Sequence, residues 1–191
     1  LHDALPISQS CDLRQDLRVK VGKASAAYRS MSKTIFLNRC LGIPLRLKLL
    51  DALVLPIIFY GSGSWPLLSA RQFQFLASTI TKWQRQIAGK GFWKEDNVTD
   101  AEFRACWHIP PLAVRLAKHR LLFLLQLHRC GPQVVWDLVT AEDDFCRSSW
   151  FDAVRQALTW LGTMIPDFPS LAWTSEEILQ WVHEASPQTQ N

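Results

Sequence analysis

The organising segment of this chain reads LRLKLLDALVLPIIFYGSGSW from Leu45 to Trp65. Its first half places Leu45, Leu49 and Leu53 at helical spacing, with Leu50 and Val54 beside them, and Pro56 is expected to kink or end that helix. The residues that follow Pro56 are too apolar for a surface loop. The pattern therefore predicts a buried helix at the centre of a core, with more amphipathic segments packed around it.

Charged side chains of this segment lie only in its first half. At about 100° per residue, Lys48 and Asp51 share a polar edge, whereas Arg46 falls within the apolar arc of the first turn. We expect the long stem of Arg46 to carry its guanidinium outwards to solvent. Because no charge follows Asp51 within the segment, the helix is predicted to run inwards from there.

Amphipathic helical patterns flank the organising segment on both sides. Apolar residues recur at steps of three and four over residues 21–35, and similar stripes follow at 76–87, 112–130, 151–165 and 178–182. No alternation typical of a strand occurs, and there is no internal repeat. The sequence therefore predicts an all-α fold, an irregular bundle of about six to eight helices without a substantial sheet.

Length and composition favour a packed intracellular protein. A chain of 191 residues, 48% of them hydrophobic, can bury one sizeable core. Its five cysteines have no regular spacing and follow no signal peptide, which indicates reduced thiols in the nucleus or cytoplasm. The uncharged window over residues 52–70 is broken by Pro and Gly and barely reaches the ~20 residues of a membrane span. We therefore expect no membrane-spanning helix.

Charge is divided unequally along the chain. From Cys11 to Lys90, 13 Lys and Arg oppose 3 acidic residues, a net charge of +10. From Gly91 onward, 8 basic residues oppose 13 acidic ones, a net charge of −5. This asymmetry indicates that the first half faces a polyanion. An ordinary solvated basic surface is the alternative.

The basic residues of the first predicted helix lie on one side. At about 100° per residue, Arg14, Arg18, Arg29 and Lys33 fall within an arc of about 100° beside the apolar stripe. Such cations neutralise phosphates without reading bases, and an A-form duplex is recognised mainly through its backbone and shape. The candidate nucleic-acid-binding residues are Arg18, Arg29, Lys33, Arg46 and Lys48.

A family resemblance lies in the organising segment. The run KLLDALVLP from Lys48 to Pro56, followed by Tyr60-Gly61 and Trp65, resembles the segment after the catalytic palm in reverse transcriptases of LINE-type (non-LTR) retrotransposons. There the second part reads Y-G-x-E-x-W, and this chain departs from it with Gly63 in place of Glu. Weaker likenesses are RQIAG, ending at Gly89, and His119-Arg120-Leu121.

The resemblance implies a fragment of an RNA-directed DNA polymerase. Residues 9–131 would correspond to the thumb, which lies against a duplex of RNA or of RNA and DNA, and residues 132–191 to a C-terminal helical extension. Residues 1–8 match what a common sequencing-library adapter encodes, and we expect them to be non-native. The palm would lie upstream, so we expect this chain to have no catalytic residues and no enzymatic activity alone.

The acidic cluster does not fit a polymerase centre. Asp143 and Asp144, preceded by Glu142, sit in a polar connection without the apolar strands that would aim two metal-binding carboxylates. No Gly-x-Ser-x-Gly elbow and no phosphate-loop pattern is present. The sequence thus predicts neither a catalytic site nor a cofactor.

Cysteine and histidine residues do not show zinc spacing. Cys106 and His108 are separated by one residue, as are His128 and Cys130, whereas structural zinc sites typically leave about two to four. His119 lies between the two pairs on an apolar helix, where a satisfied histidine is the commoner case. We therefore expect no bound metal.

Two further interpretations of the whole chain stay open. The first is a helical protein-interaction or scaffold module without a nucleic-acid role. The second is a non-functional remnant of a decayed element. Binding of a nucleic-acid duplex separates both from the thumb interpretation.

Overall fold

Helices make up the regular structure in the part of the chain that the computed structural model describes, residues 13–89, 98–132, 134, 150–165, 168 and 175–185. The α-helices are α1 (Leu13–Met31), α2 (Ile43–Leu53), α3 (Leu55–Phe59), α4 (Ala70–Ala88), α5 (Asp100–Cys106), α6 (Leu112–Cys130), α7 (Trp150–Met164) and α8 (Ser175–Ala185), with a π-helical turn at Ser32–Phe36 and a 3-10 turn at Ser62–Ser64. No strand occurs within these described ranges. The prediction of an all-α irregular bundle is confirmed.

The described chain forms two compact units. Unit 1 contains the described residues up to Tyr60 and those from Ala70 to Trp107, and unit 2 contains Gly61–Ser69 and the described residues from His108 onward. The units divide the chain differently from the predicted boundary between residues 131 and 132, because α6 belongs with α7 and α8. The predicted leader at residues 1–8 lies outside the described residues.

Two helices supply most of the core of unit 1. On α1 the buried residues are Leu17, Val21, Ala24 and Tyr28, and on α4 the apolar ones are Leu76, Ile80, Trp83, Ile87 and Ala88. Both stripes follow the helical period that the sequence predicts. Gly22 does not interrupt α1, which continues through it for nine residues to Met31.

Helix α2 buries only part of the predicted apolar stripe. Leu45 is 47% exposed and Leu53 is 42% exposed, whereas Leu47 and Leu50 are buried. Leu50 and Val54, which also belong to the predicted stripe, are fully buried, so the buried side covers one edge of that stripe and extends beyond it to Leu47. Since α2 is apolar on most sides, its own pattern does not select a face, and packing against neighbouring elements does.

Pro56 separates two short helices in the organising segment. Helix α2 ends at Leu53, and Pro56 occupies the first turn of α3, where its missing N–H leaves no helical hydrogen bond unmade. Leu55, Ile58 and Phe59 of α3 are buried. The inward run predicted after Asp51 therefore takes the form of a second helix.

Unit 2 is built on α6. Its core joins Leu124 of α6 to α7 and α8; the other buried members are Phe151, Val154, Leu158, Ile178 and Val182. The 3-10 turn also packs on α6, and the indole N–H of Trp150 donates to the carbonyl oxygen of Gly63 at 2.7 Å. Among the described helices, none combines the length and the apolar character that crossing a membrane requires.

Gly63 fits its place because it has no side chain. A Cβ atom added there would lie 2.5 Å from Cβ of Phe123 and 2.8 Å from the backbone carbonyl oxygen of His119. The glutamate found at this position in the resembling family has no room here. The departure noted in the sequence thus coincides with a close approach of two backbone segments.

Candidate functional site

The predicted basic side of α1 is present in unit 1. Arg18 and Arg29 are exposed on α1, and Lys33 is exposed on the π-helical turn that continues it. At about 100° per residue, Arg18 and Arg29 differ by only about 20° around the helix axis. None of the three forms an ion pair with another described residue. We call Arg18, Arg29 and Lys33 the α1 basic face.

The two predicted residues on α2 have different environments. Lys48 is exposed. Arg46 is only 8% exposed, and its Nη1 donates to the backbone carbonyl oxygen of Phe36 at 2.9 Å. The expectation that Arg46 extends to solvent is wrong: the side chain stays buried with the apolar arc in which its position falls, and it finds a hydrogen-bond acceptor there. Its guanidinium satisfies a backbone carbonyl and is not presented to a ligand.

A groove of about 620 Å³ lies between α1 and α4 within unit 1. Arg29 and Lys82 are its exposed cations, and the buried Val21, Tyr28 and Trp83 form its deeper part. Its remaining lining residues are Ser25, Ser32, Leu37, Thr79 and Gln86. We call this the α1–α4 groove. It brings Lys82 to the same groove as a residue of the α1 basic face.

Lys82 is a site residue that sequence reasoning did not select. It forms no ion pair with another described residue. In the sequence it only flanks the apolar stripe of α4, like many solvated lysines. The available signal was its position one residue before the buried Trp83, but nothing local indicates that α4 packs beside α1.

Tyr28 carries an unusual polar group beside the groove. Its side chain is 6% exposed, and its hydroxyl makes no hydrogen bond with any described residue. Burial raises the pKa of Tyr28 to about 12, since the phenolate would lose its hydration. The phenol therefore stays neutral, and among the described lining residues the full charges are those of the two cations.

Arg85 is engaged within unit 1. Its guanidinium contacts a carboxylate oxygen of Asp100 at 2.7 Å and the carbonyl oxygen of Val98 at 2.7 Å, and it lies 5.1 Å from the ring centroid of Phe103. These contacts attach the start of α5 to the end of α4. Arg85 is therefore a structural cation, unlike Lys82 on the same helix.

A capping box begins α5. The Thr99 hydroxyl accepts from the backbone N–H of Glu102, and the Glu102 carboxylate accepts from the backbone N–H of Thr99. The bond from the Thr99 backbone N–H lowers the pKa of Glu102 most, and the Thr99 hydroxyl, which also donates to this carboxylate at 2.8 Å, lowers it further. The capping box fixes where the helix begins.

The cysteines and histidines weighed as zinc ligands do not converge. Among the described residues, no group of three or more His, Cys, Asp or Glu side chains is placed to hold a metal ion. Burial lowers the pKa of His119, and Lys118 and Arg115 lower it further. Asp143 and Asp144 lie outside the described residues.

Chemically, the described part of unit 1 offers helix cations that form no ion pair with another described residue, and a groove in which the described charged lining residues are cations. Such an arrangement attracts anions, and backbone phosphates are anions that repeat along a chain. No protein-family model, curated protein or solved structure matches this chain.

Proposed function

We propose that this chain binds the backbone of a nucleic-acid duplex, RNA or RNA–DNA, through the α1 basic face. The observation that carries the proposal is the exposure of Arg18 and Arg29 on one side of α1, without an ion pair to any described residue. The chain would act without catalysis, as the thumb region of the LINE-type reverse transcriptases that it resembles would. Lys48 is exposed on a different helix and does not line the groove.

Unpaired cations favour phosphate binding for an energetic reason. An arginine already bonded to a carboxylate would have to give up that partner, as Arg85 would give up Asp100. Arg18 and Arg29 have no such ion-pair partner among the described residues to give up. Phosphates in turn release condensed counterions when cations neutralise them, which favours binding at low salt.

The spacing of these residues suits a backbone. Arg18 and Arg29 are separated by 11 residues, a rise of about 16 Å along a helix at 1.5 Å per residue. This separation lets them reach different phosphates of the same duplex. Since neither would contact base edges, we expect binding that does not depend on sequence.

A salt-titrated binding assay on the chain tests the proposal. Affinity for a duplex should fall steeply with salt, with a log–log slope of roughly 0.9 per phosphate contact on B-form DNA. Replacing Arg29 and Lys33 together with alanine should flatten that slope and weaken binding to all sequences alike. Both side chains are exposed, so the fold should persist, and circular dichroism checks helicity.

A matched control removes the same charge elsewhere. Lys23 is exposed about 120° around α1 from Arg29, at 100° per residue, and Lys118 is exposed in unit 2. Replacing these two lysines with alanine should change the slope less than replacing Arg29 and Lys33. If the two double substitutions had equal effects on the slope, binding would depend on net charge alone and not on the α1 basic face. If no duplex binding could be measured, the scaffold interpretation would be favoured.

A further inference from the structure

The α1–α4 groove has the size of a small-ligand site, and the α1 basic face does not account for it. Its volume of about 620 Å³ falls within the roughly 300–1,000 Å³ typical of such sites. A base-paired duplex is too wide to enter it, whereas a single nucleotide is small enough. Every described lining residue belongs to unit 1.

The groove combines apolar sides with cations. Val21, Leu37 and Trp83 supply apolar surface, and Arg29 and Lys82 supply positive charge at exposed positions. Neither cation has an ion-pair partner among the described residues. An occupant that matches both features has a flat, weakly polar part and an attached anion.

Polar side chains of the groove suit the edge of a base. Ser25, Ser32 and Gln86 offer donors and acceptors at partly exposed positions. Unpaired bases in complexes with proteins are held by contacts to their faces and by hydrogen bonds to their edges. Arg29 also has a planar guanidinium, on which a base face can stack.

We infer that the α1–α4 groove receives one unpaired nucleotide at the end of the bound duplex. Its phosphate lies between Arg29 and Lys82, and its base lies against the apolar sides of the groove. This inference rests on the proposed function, since the duplex delivers the nucleotide. Beyond the proposed function, it predicts that the chain prefers a duplex with an unpaired end and that Lys82 binds the phosphate of the unpaired nucleotide.

The test compares a blunt duplex with duplexes that carry one unpaired nucleotide at the 3′ or the 5′ end. At equal salt, one of the two should bind the full chain about fivefold or more tightly than the blunt duplex, the low end of what one stacked base contributes. Replacing Ser25 with phenylalanine, which fills the groove without changing charge, should abolish that preference and leave blunt-duplex affinity unchanged.

A second variant guards against misfolding of the first. Lys82→Ala should reduce the preference for the unpaired end more than Lys23→Ala, which removes the same charge from outside the groove. This inference would be overturned, with the proposed function intact, if the blunt duplex bound as tightly as the two duplexes with an unpaired nucleotide. It would also be overturned if the preference for an unpaired end survived both Ser25→Phe and Lys82→Ala. Absence of binding to any duplex would overturn the proposed function and this inference with it.

Discussion

The ring of Tyr28 on α1 stacks on the ring of Trp83 on α4, with centroids 5.3 Å apart and an angle of 12° between the planes. Phe36 stacks on Tyr28 as well, at 4.9 Å and 8°. The three rings link α1, the π-helical turn and α4 into one packed body. The same contacts hold Arg29 and Lys82 on the lining of one groove.

Replacing Tyr28 with phenylalanine should leave the stability of the protein unchanged or raise it by up to about 1 kcal/mol, because a buried hydroxyl without a partner costs free energy. Urea denaturation followed by circular dichroism measures this. Tyr60→Phe, at the exposed second tyrosine, should have no effect. A clear loss of stability in Tyr28→Phe alone would show that the hydroxyl has a bonding partner.

Alkaline pH should destabilise the protein through Tyr28. The folded chain holds this phenol protonated until the pH approaches about 12, whereas the unfolded chain releases the proton near 10.0. The stability that the folded chain keeps while Tyr28 is protonated in both states is therefore complete below pH 10, and it is lost as the pH rises towards 12. Unfolding midpoints of wild type and Tyr28→Phe should diverge as the pH rises from 10 towards 12 if Tyr28 is responsible, because only wild type loses stability through this phenol. A constant difference between the two proteins would contradict the burial of the phenol.

Replacing Gly63 with alanine should destabilise unit 2. The added Cβ would meet Phe123 and the His119 carbonyl oxygen, and such overpacking typically costs about 1–3 kcal/mol. Gly22→Ala is the matched control, since nothing lies within 4 Å of a Cβ there. In mid-helix that change should stabilise α1 by about 0.5–1 kcal/mol. Opposite shifts of the urea midpoint are expected, and a neutral Gly63→Ala would contradict the close packing.

Replacing Arg46 with leucine should destabilise unit 1 by about 1–3 kcal/mol, because it leaves the buried carbonyl of Phe36 without its donor. Lys48→Ala, two residues away and exposed, should stay within about 0.5 kcal/mol of wild type. Thermal denaturation of both variants measures this. If Arg46→Leu lowered duplex affinity at unchanged stability, Arg46 would belong to the binding surface after all.

The chain should not extend a primer with any nucleotide or metal ion, since the palm of the resembling family is not among its motifs. A primer-extension assay with the purified chain checks this. Incorporation that disappears when Asp143 and Asp144 are replaced with asparagine would assign those two residues a catalytic role.

Local patterns were enough for much of this fold. The stripes of α1 and α4 each depend on residues a few positions apart, so the sequence predicts them correctly. The exposure of Arg18 and Arg29 is predicted in the same way, because an amphipathic helix packs its one apolar side on the core and leaves its polar side in solvent.

Long-range packing decided the remainder. Helix α2 is apolar on most sides, so its neighbours selected the buried face and placed Arg46 inside. Lys82 shares a groove with Arg29 only because α4 packs beside α1, and Gly63 meets α6 across more than fifty residues of sequence. Periodicity shows which side of a helix can be buried, but the partner of that side depends on shape complementarity between segments far apart in the chain.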